Sequence, residues 1–105
     1  RDEHLYVFFT NRGDEPERIM LSTISLKGDW SEWVASEPIE VLRPEKDYEG
    51  ATLSLEASRG GYIDERVHQL RDPAIYQEGD KTYLLYSVAG ESGIAIAEIR
   101  FNELN

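Results

Sequence analysis

Asp72 is the carboxylate best placed for chemistry, and it lies in the segment Leu70-Arg71-Asp72-Pro73. Paired carboxyl groups carry out acid and base steps such as glycosidic bond cleavage, about 5 Å apart for retention of configuration and about 6.5–9.5 Å apart for inversion. The preceding connection offers three candidate partners for it: Glu49, Asp64 and Glu65. The alternative is structural, because an aspartate before proline commonly turns or caps the backbone, and Arg71 then only neutralises its charge.

His68 is a further candidate, four residues before Asp72. In an extended chain, alternate side chains project to the same side, which would align Arg66, His68 and Asp72. The alternative is an ordinary hydrogen-bonded surface histidine at the start of a strand. The pattern therefore predicts that His68 shares a face with Asp72 only if the segment before the strand is extended.

Other notable side chains have simpler interpretations. Trp30 and Trp33 could stack on sugar rings, but at the start of a strand they favour packing between sheets. Asp14, Glu15 and Glu17 form an acidic turn without the alternating oxygen ligands of a calcium loop, so we expect solvated side chains. The chain has no cysteine, which excludes disulfides, thiolate metal sites and a cysteine nucleophile. We predict no metal site and no cofactor.

The composition limits the classes of partner. The chain has 105 residues, with 21 acidic against 11 basic side chains and a formal net charge of −10. This field repels phosphate backbones and anionic lipid head groups, so we predict no nucleic-acid and no membrane partner. The longest apolar run, Leu5 to Phe9, is too short to span a bilayer. The absence of cysteine does not decide the compartment.

A repeat organises the chain, since the segments 4–24 and 70–99 share most of their apolar positions. The matched pairs are Tyr6 with Tyr83, Phe9 with Tyr86, Thr10 with Ser87, Ile19 with Ile94, Leu21 with Ile96 and Ile24 with Ile99. A repeated apolar strand pair indicates a stacked or radial β architecture. Extending the alignment backwards places Arg1 opposite Glu78, so we expect the first copy to lack a leading strand and the chain to be a piece of a larger protein.

We predict a single β domain over residues 1–105. It divides into a first unit at 1–42, a long connection at 43–70 and a second unit at 71–105. The second unit is predicted as a three-stranded antiparallel meander with strands at 72–77, 82–88 and 94–101. The middle strand is apolar on both alternating faces, which predicts burial on both sides. In the first unit, residues 30–34 and 39–42 are predicted to form an outer strand that the second unit lacks.

A leading strand with Arg-Asp-Pro, a turn and then a Tyr-x-x-Tyr-Ser strand resembles the blades of five-bladed β-propeller glycoside hydrolases, the clan of families 32, 43 and 68. The segments that carry the resemblance are 70–76, 81–87 and 93–97. In families 32 and 68 the aspartate of this motif holds sugar hydroxyls, which the resemblance carries over to Asp72. It also implies that Arg71 contacts substrate and that His68 and Tyr76 line the central channel as substrate-binding residues. The Asn-Asp-Pro-Asn motif and the Glu-Cys pair of those families are absent, so no second catalytic carboxylate is placed.

The fold expected from these features is all-β, a partial β-propeller of about two incomplete antiparallel blades. The expected function is glycosidic bond hydrolysis in a larger parent protein, with Asp72 as catalytic residue, a glycan as partner and the isolated chain inactive. A non-catalytic module that self-assembles or binds glycans is the alternative, because open blades leave sheet edges that can pair with another copy. The alternative expects Asp72 to be held in local hydrogen bonds.

Overall fold

Two three-stranded antiparallel sheets make up the computed structural model, which describes residues 1–101. The strands are β1 His4–Phe9, β2 Ile19–Ser25, β3 Ile39–Leu42, β4 Arg71–Glu78, β5 Lys81–Val88 and β6 Gly93–Ile99. The first sheet has the order β1-β2-β3 and the second the order β4-β5-β6. No α-helix occurs in the described range, so the all-β class is confirmed. Residues 102–105 of the predicted second unit lie outside that range.

The second sheet forms where apolar and β-branched residues alternate. Its first hairpin turns at Gly79, whose φ of +62° is readily adopted by glycine. The middle strand β5 buries Leu84 and Tyr86 on one face, while Tyr83 and Leu85 on the other face are half-buried. The prediction of burial on both faces is therefore wrong for this strand, because no other part of residues 1–101 fully covers the second face.

The sequence repeat is also a repeat of strand pairing. Phe8 of β1 lies opposite Leu21 of β2, and their repeat equivalents, Leu85 and Ile96, lie opposite each other across β5 and β6. Residues of β1 match residues of β5 with one constant difference in residue number, and residues of β2 match residues of β6 with another. Equivalent residues therefore pair in the same way along the hairpin. The leading strand β4 and the outer strand β3 have no counterparts in the other sheet among the described residues.

The outer strand of the first sheet is shorter than predicted. The pairing with β2 involves only Ile39–Leu42, after a register shift between Ile19 and Met20. Residues Trp30–Glu32 form a 3-10 helix instead of a strand, and Trp30 is 75% exposed. Aromatic residues favour strands only where a neighbouring strand pairs with them, and here only an isolated bridge forms, from Ala35 to Ile24. Trp30 therefore does not fill the space between the sheets.

The hydrophobic core lies where the first sheet packs on one face of the second. Its buried members are Ile19, Leu70, Leu84, Tyr86 and Val88, and half-buried Phe8, Leu42, Ala95, Ala97 and Ile99 pack around them. The backbone N–H of Leu70 donates to the carbonyl of Glu17 over 2.9 Å, which ties the start of β4 to the start of β2. The two sheets thus share one core.

The connection 43–70 crosses this core without forming a strand. A 3-10 helix at Asp47–Glu49 ends at Gly50, whose φ is +90°. A side chain at Gly50 would collide with the backbone carbonyl of Val67, so only glycine fits there. Within residues 1–101 no helix has the length and apolar character needed to cross a bilayer.

Candidate functional site

The start of β4 is distorted at the predicted site residue. Arg71 pairs with Ser87 but Ala74 pairs with Leu85, so β4 contains one extra residue. Asp72, within this bulge, has a φ of +54°, in the left-handed region that residues other than glycine rarely adopt. Within the bulge Arg71 is buried and the next residue, Asp72, is exposed.

The Asp72 carboxylate opens into a cleft of 390 Å³, which we call the Asp72 cavity. Its lining residues are Thr10, Arg12, Glu17, Arg59, Gly60, Gly61, Arg71, Asp72 and Glu91. Ser87 Oγ donates a hydrogen bond of 3.2 Å to Asp72 Oδ2. Asp72 has the local hydrogen bond that the alternative function anticipated, yet its carboxylate stays accessible to a ligand.

Arg71 is a buried side chain that organises the wall of the cavity. Its Nη1 donates to the carbonyl of Gly61 and its Nη2 to the carbonyl of Arg59, each over 2.7 Å. Its Nε donates to Gln69 Oε1 over 3.0 Å and lies 3.3 Å from Glu17 Oε1. These contacts fix the loop 59–61 between the first and second units.

Glu17 is the buried partner that balances this guanidinium. Thr10 Oγ1 donates to Glu17 Oε2 over 2.5 Å, while Glu17 Oε1 faces Arg71. The expectation of a solvated side chain is wrong for Glu17, because a buried arginine needs a nearby anion. The structural alternative for Arg71, neutralising Asp72, is not what the described residues show, since the carboxylate that pairs with Arg71 is that of Glu17.

Two other arginines line the Asp72 cavity and are exposed, Arg12 and Arg59. Neither forms an ion pair with any residue in the described part of the chain. The Arg12 side chain lies against Gly60, where an added Cβ would stand 3.1 Å from both Arg12 Cδ and Arg12 Nε. Glycine at position 60 therefore leaves room for this guanidinium over the loop.

Glu91 is the third acid of the cavity, and it belongs to the hairpin loop between β5 and β6. Its Oε2 accepts a hydrogen bond of 2.8 Å from the backbone N–H of Ile63. In the same loop Ala89 and Gly90 have φ values of +50° and +80°. Glu91 thus joins this tight loop to the connection that carries Gly60.

Two of the predicted substrate-binding residues lie away from the Asp72 cavity. His68 Nδ1 is 3.1 Å from the carbonyl of Leu53, and the ring is half-buried. The idea of a shared face for His68 and Asp72 is wrong, because the strand begins only at Arg71 and the bulge follows at once. The roles of His68 and Tyr76 in substrate binding stay predictions, but the structure does not place His68 beside Asp72.

Tyr76 lies toward the other end of β4, about 13 Å along the strand from Asp72. Its hydroxyl donates to Glu78 Oε2 over 2.8 Å, and its ring is stacked near Tyr83, 6.4 Å between centroids. The hydrogen bond to Glu78 raises the pKa of the Tyr76 hydroxyl. Tyr76 therefore belongs to a surface distinct from the Asp72 cavity.

None of the acids predicted as partners of Asp72 lines its cavity. Glu49 is buried at the opposite side of the connection, where it accepts a 2.9 Å hydrogen bond from the Tyr86 hydroxyl and N–H donors from Glu45 and Lys46. Asp64 and Glu65 are exposed on the connection. The acids that accompany Asp72 are instead Glu17 and Glu91.

The balance of charge indicates what the cavity can bind. Glu17 is neutralised by Arg71, which leaves Asp72 and Glu91 as acceptors and Arg12 and Arg59 as donors. Such a mixture suits a ligand rich in hydroxyl groups, which both donate and accept. The part of the chain that the structure describes holds no group of three histidine, cysteine, aspartate or glutamate side chains able to bind a metal ion.

The chain is 45% identical over 98 residues to an uncharacterised protein of Acanthamoeba polyphaga mimivirus. The match covers 92% of this chain and 28% of the viral protein, so the chain spans little more than a quarter of the length of that relative. No protein-family model and no solved structure matches the chain.

Proposed function

We propose that this chain is part of a carbohydrate-active β-propeller protein and that the Asp72 cavity is a sugar-binding subsite. The observation that carries the proposal is the bulge at the start of β4, which turns the Asp72 carboxylate into a cleft beside two unpaired arginines. Bulges next to functional sites commonly redirect a side chain in this way. The strained backbone at Asp72 agrees with a functional demand at that position.

The packing of the two sheets supports a radial array. The first sheet packs on the second through Phe8 and Ile19, among others. Their repeat equivalents are Leu85 and Ile94, and Ile94 is 77% exposed. The second sheet thus presents to solvent the same face that the first sheet buries. A third unit packing on that face would continue the array, as blades do in a propeller.

Sugar binding, rather than bond cleavage, is the role we propose for this chain by itself. Hydrolysis requires a second carboxyl group free to act with Asp72. Glu17 is occupied by Arg71 and Thr10, and Glu91 is bonded to the backbone of Ile63. In the hydrolase that we propose as the parent, other parts of the protein supply the second carboxyl group.

A self-assembling module without catalysis is the second candidate, and the exposed apolar face of β6 favours it. Ile94 and Ile96, on the same side of that strand, are 77% and 60% exposed. Contiguous apolar surface of this kind commonly marks an interface between proteins. In this case the face of the second sheet packs against another copy of the chain, and the Asp72 cavity has no ligand.

The proposal is tested by recording amide NMR spectra of the 15N-labelled chain while adding galactose, arabinose and galacturonate. We expect at least one sugar to shift the amides of Gly60, Gly61 and Ser87, and Asp72→Asn to weaken this binding by about tenfold. Asparagine tolerates a positive φ, so this variant changes the charge and spares the backbone. Asp80→Asn, in the exposed turn before β5, is the matched control and should bind as the native chain does.

The same samples separate the two candidates. If none of the sugars shifts the cavity amides and the chain sediments as an oligomer that Ile96→Lys dissociates, the self-assembling module replaces the sugar subsite. If the chain is a monomer and binds a sugar through Asp72, the self-assembling module is excluded.

A further inference from the structure

The Asp72 cavity is lined by two exposed arginines that have no carboxylate partner among the described residues. The chain has 21 acidic and 11 basic side chains, so a basic residue has many potential partners. Arg18, Arg43 and Arg71 all lie within 4.0 Å of a carboxylate oxygen. Arg12 and Arg59 form no such pair in the described residues, although both border the same cleft. Their donors are available to a ligand.

The loop that carries Arg59 is held in place by the buried Arg71 side chain. Arg71 donates to the carbonyls of Arg59 and Gly61, on either side of Gly60. Arg12 reaches over the same glycine from the turn after β1. The backbone that carries Arg59 is therefore held by Arg71, and the Arg12 side chain, from a different segment, lies over the same loop.

From this arrangement we infer that the Asp72 cavity selects a sugar acid, whose carboxylate is bound by Arg12 and Arg59 while its hydroxyl groups donate to Asp72. Guanidinium groups bind carboxylates through charge-assisted hydrogen bonds, which are about twice as strong as those to neutral acceptors. Asp72 accepts hydrogen bonds from hydroxyl donors and repels a bare inorganic anion. A ligand with both an anionic group and hydroxyl groups therefore satisfies both sides of the cleft.

The size of the cleft agrees with a single sugar residue. Its volume of 390 Å³ falls within the range of about 300–1,000 Å³ that is typical of small-molecule sites. The inference rests on the proposed sugar-binding function and names the class of sugar.

The test compares galacturonate, galactose and inorganic sulfate in NMR titrations of the folded 15N-labelled chain. Galacturonate and galactose differ at the carboxylate and share their other ring hydroxyls, and sulfate is an anion without them. We expect galacturonate to bind about tenfold more tightly than either comparison ligand, with shifts at Gly60 and Gly61. Arg12→Gln and Arg59→Gln should each weaken galacturonate binding about tenfold and leave galactose binding unchanged.

Arg100→Gln is the matched control, because it removes the same charge from an exposed arginine that pairs with Glu98 outside the cavity. Equal binding of galactose and galacturonate that depends on Asp72 but not on the arginines would overturn the sugar-acid inference and leave the sugar subsite intact. Sulfate and galacturonate could also bind equally well through the arginines, with no effect of Asp72→Asn. That result would overturn both the sugar-acid inference and the sugar subsite, and would identify a simple anion site. Absence of binding by all three ligands would also overturn the inference.

Discussion

Two buried glutamates anchor the long connection to the sheets, and their surroundings differ in a way that separates structure from function. Glu49 is enclosed by the Tyr86 hydroxyl and by backbone N–H groups, all from the protein itself. Glu17 pairs with Arg71 at the wall of an open cleft. The Glu49 carboxylate is therefore a structural part of the core. The Glu17 carboxylate balances Arg71, which holds the loop that carries Arg59 at the edge of the Asp72 cavity.

The largest expected effect on stability comes from replacing Arg71, the buried cation that pairs with Glu17 at the Asp72 cavity. Arg71→Met leaves Glu17 buried without its cation and frees the carbonyls of Arg59 and Gly61. We expect the free energy of unfolding to fall by about 3–5 kcal/mol, as for other broken buried pairs. Urea denaturation followed by tryptophan fluorescence measures this change. Arg43→Met, which removes an exposed pair with Glu40, should cost less than about 1 kcal/mol.

Arg71→Met can leave the chain unfolded, and a second variant then carries the comparison. Adding Glu17→Gln to Arg71→Met removes the uncompensated charge, so we expect the double variant to recover part of the lost stability. A double variant that is less stable than the single one would contradict the assignment of Glu17 and Arg71 as partners.

The hydrogen bond from Tyr86 to Glu49 should contribute less to stability than the Arg71–Glu17 pair, because the tyrosine hydroxyl is a neutral donor. Tyr86→Phe removes one hydrogen bond to the Glu49 carboxylate, and we expect a loss of about 1.5–3 kcal/mol by thermal or urea unfolding. Tyr62→Phe is the control, since Tyr62 is 81% exposed. An equal loss in both variants would show that the Tyr86 hydroxyl does not stabilise the core.

The hydrogen bond between Tyr86 and Glu49 also lets us predict how the stability of the chain depends on alkaline pH. Burial and the hydrogen bond to Glu49 raise the pKa of Tyr86 well above its usual value of about 10. Since the folded form keeps the proton and the unfolded form releases it, the stabilisation is present below about pH 10 and declines as the pH rises further. We expect a steeper alkaline loss of stability in the native chain than in Tyr86→Phe, measured by urea unfolding between pH 8 and pH 11. Parallel curves would contradict this.

The smallest effect on stability is expected at Gly60, where only the cavity should respond. An alanine Cβ would lie 3.1 Å from Arg12 Cδ, so the guanidinium must shift by a few tenths of an ångström. We expect Gly60→Ala to change the unfolding free energy by less than about 0.5 kcal/mol and to weaken galacturonate binding a few-fold. Gly13→Ala is a poor control because of its positive φ, so Ala57→Ser, on the same connection, serves instead.

The elements that the sequence predicted best are those set by local pattern. The repeat and the apolar, β-branched and aromatic runs predicted β4, β5 and β6. The face on which β5 is buried depends on the neighbouring sheet, which local alternation does not reveal. Trp30 was misplaced for a related reason, since strand propensity has no effect without a pairing strand.

The candidate site was predicted only in part. Asp72 and Arg71 were predicted from the resemblance of the Arg-Asp-Pro segment to the motif of propeller glycoside hydrolases. Glu17 was not, because its pairing with Arg71 arises from the packing of the first unit on the second. Arg12 and Arg59 gave no signal at all, since an unpaired surface arginine is common and only the fold brings these two to one cleft.

The most direct test of sugar binding at the Asp72 cavity is a crystal structure of the chain grown with galacturonate. We expect the sugar carboxylate within hydrogen-bond distance of both Arg12 and Arg59, and at least one ring hydroxyl on Asp72. An empty Asp72 cavity at a galacturonate concentration that saturates the NMR shifts, or the sugar bound at another surface, would contradict the proposed site.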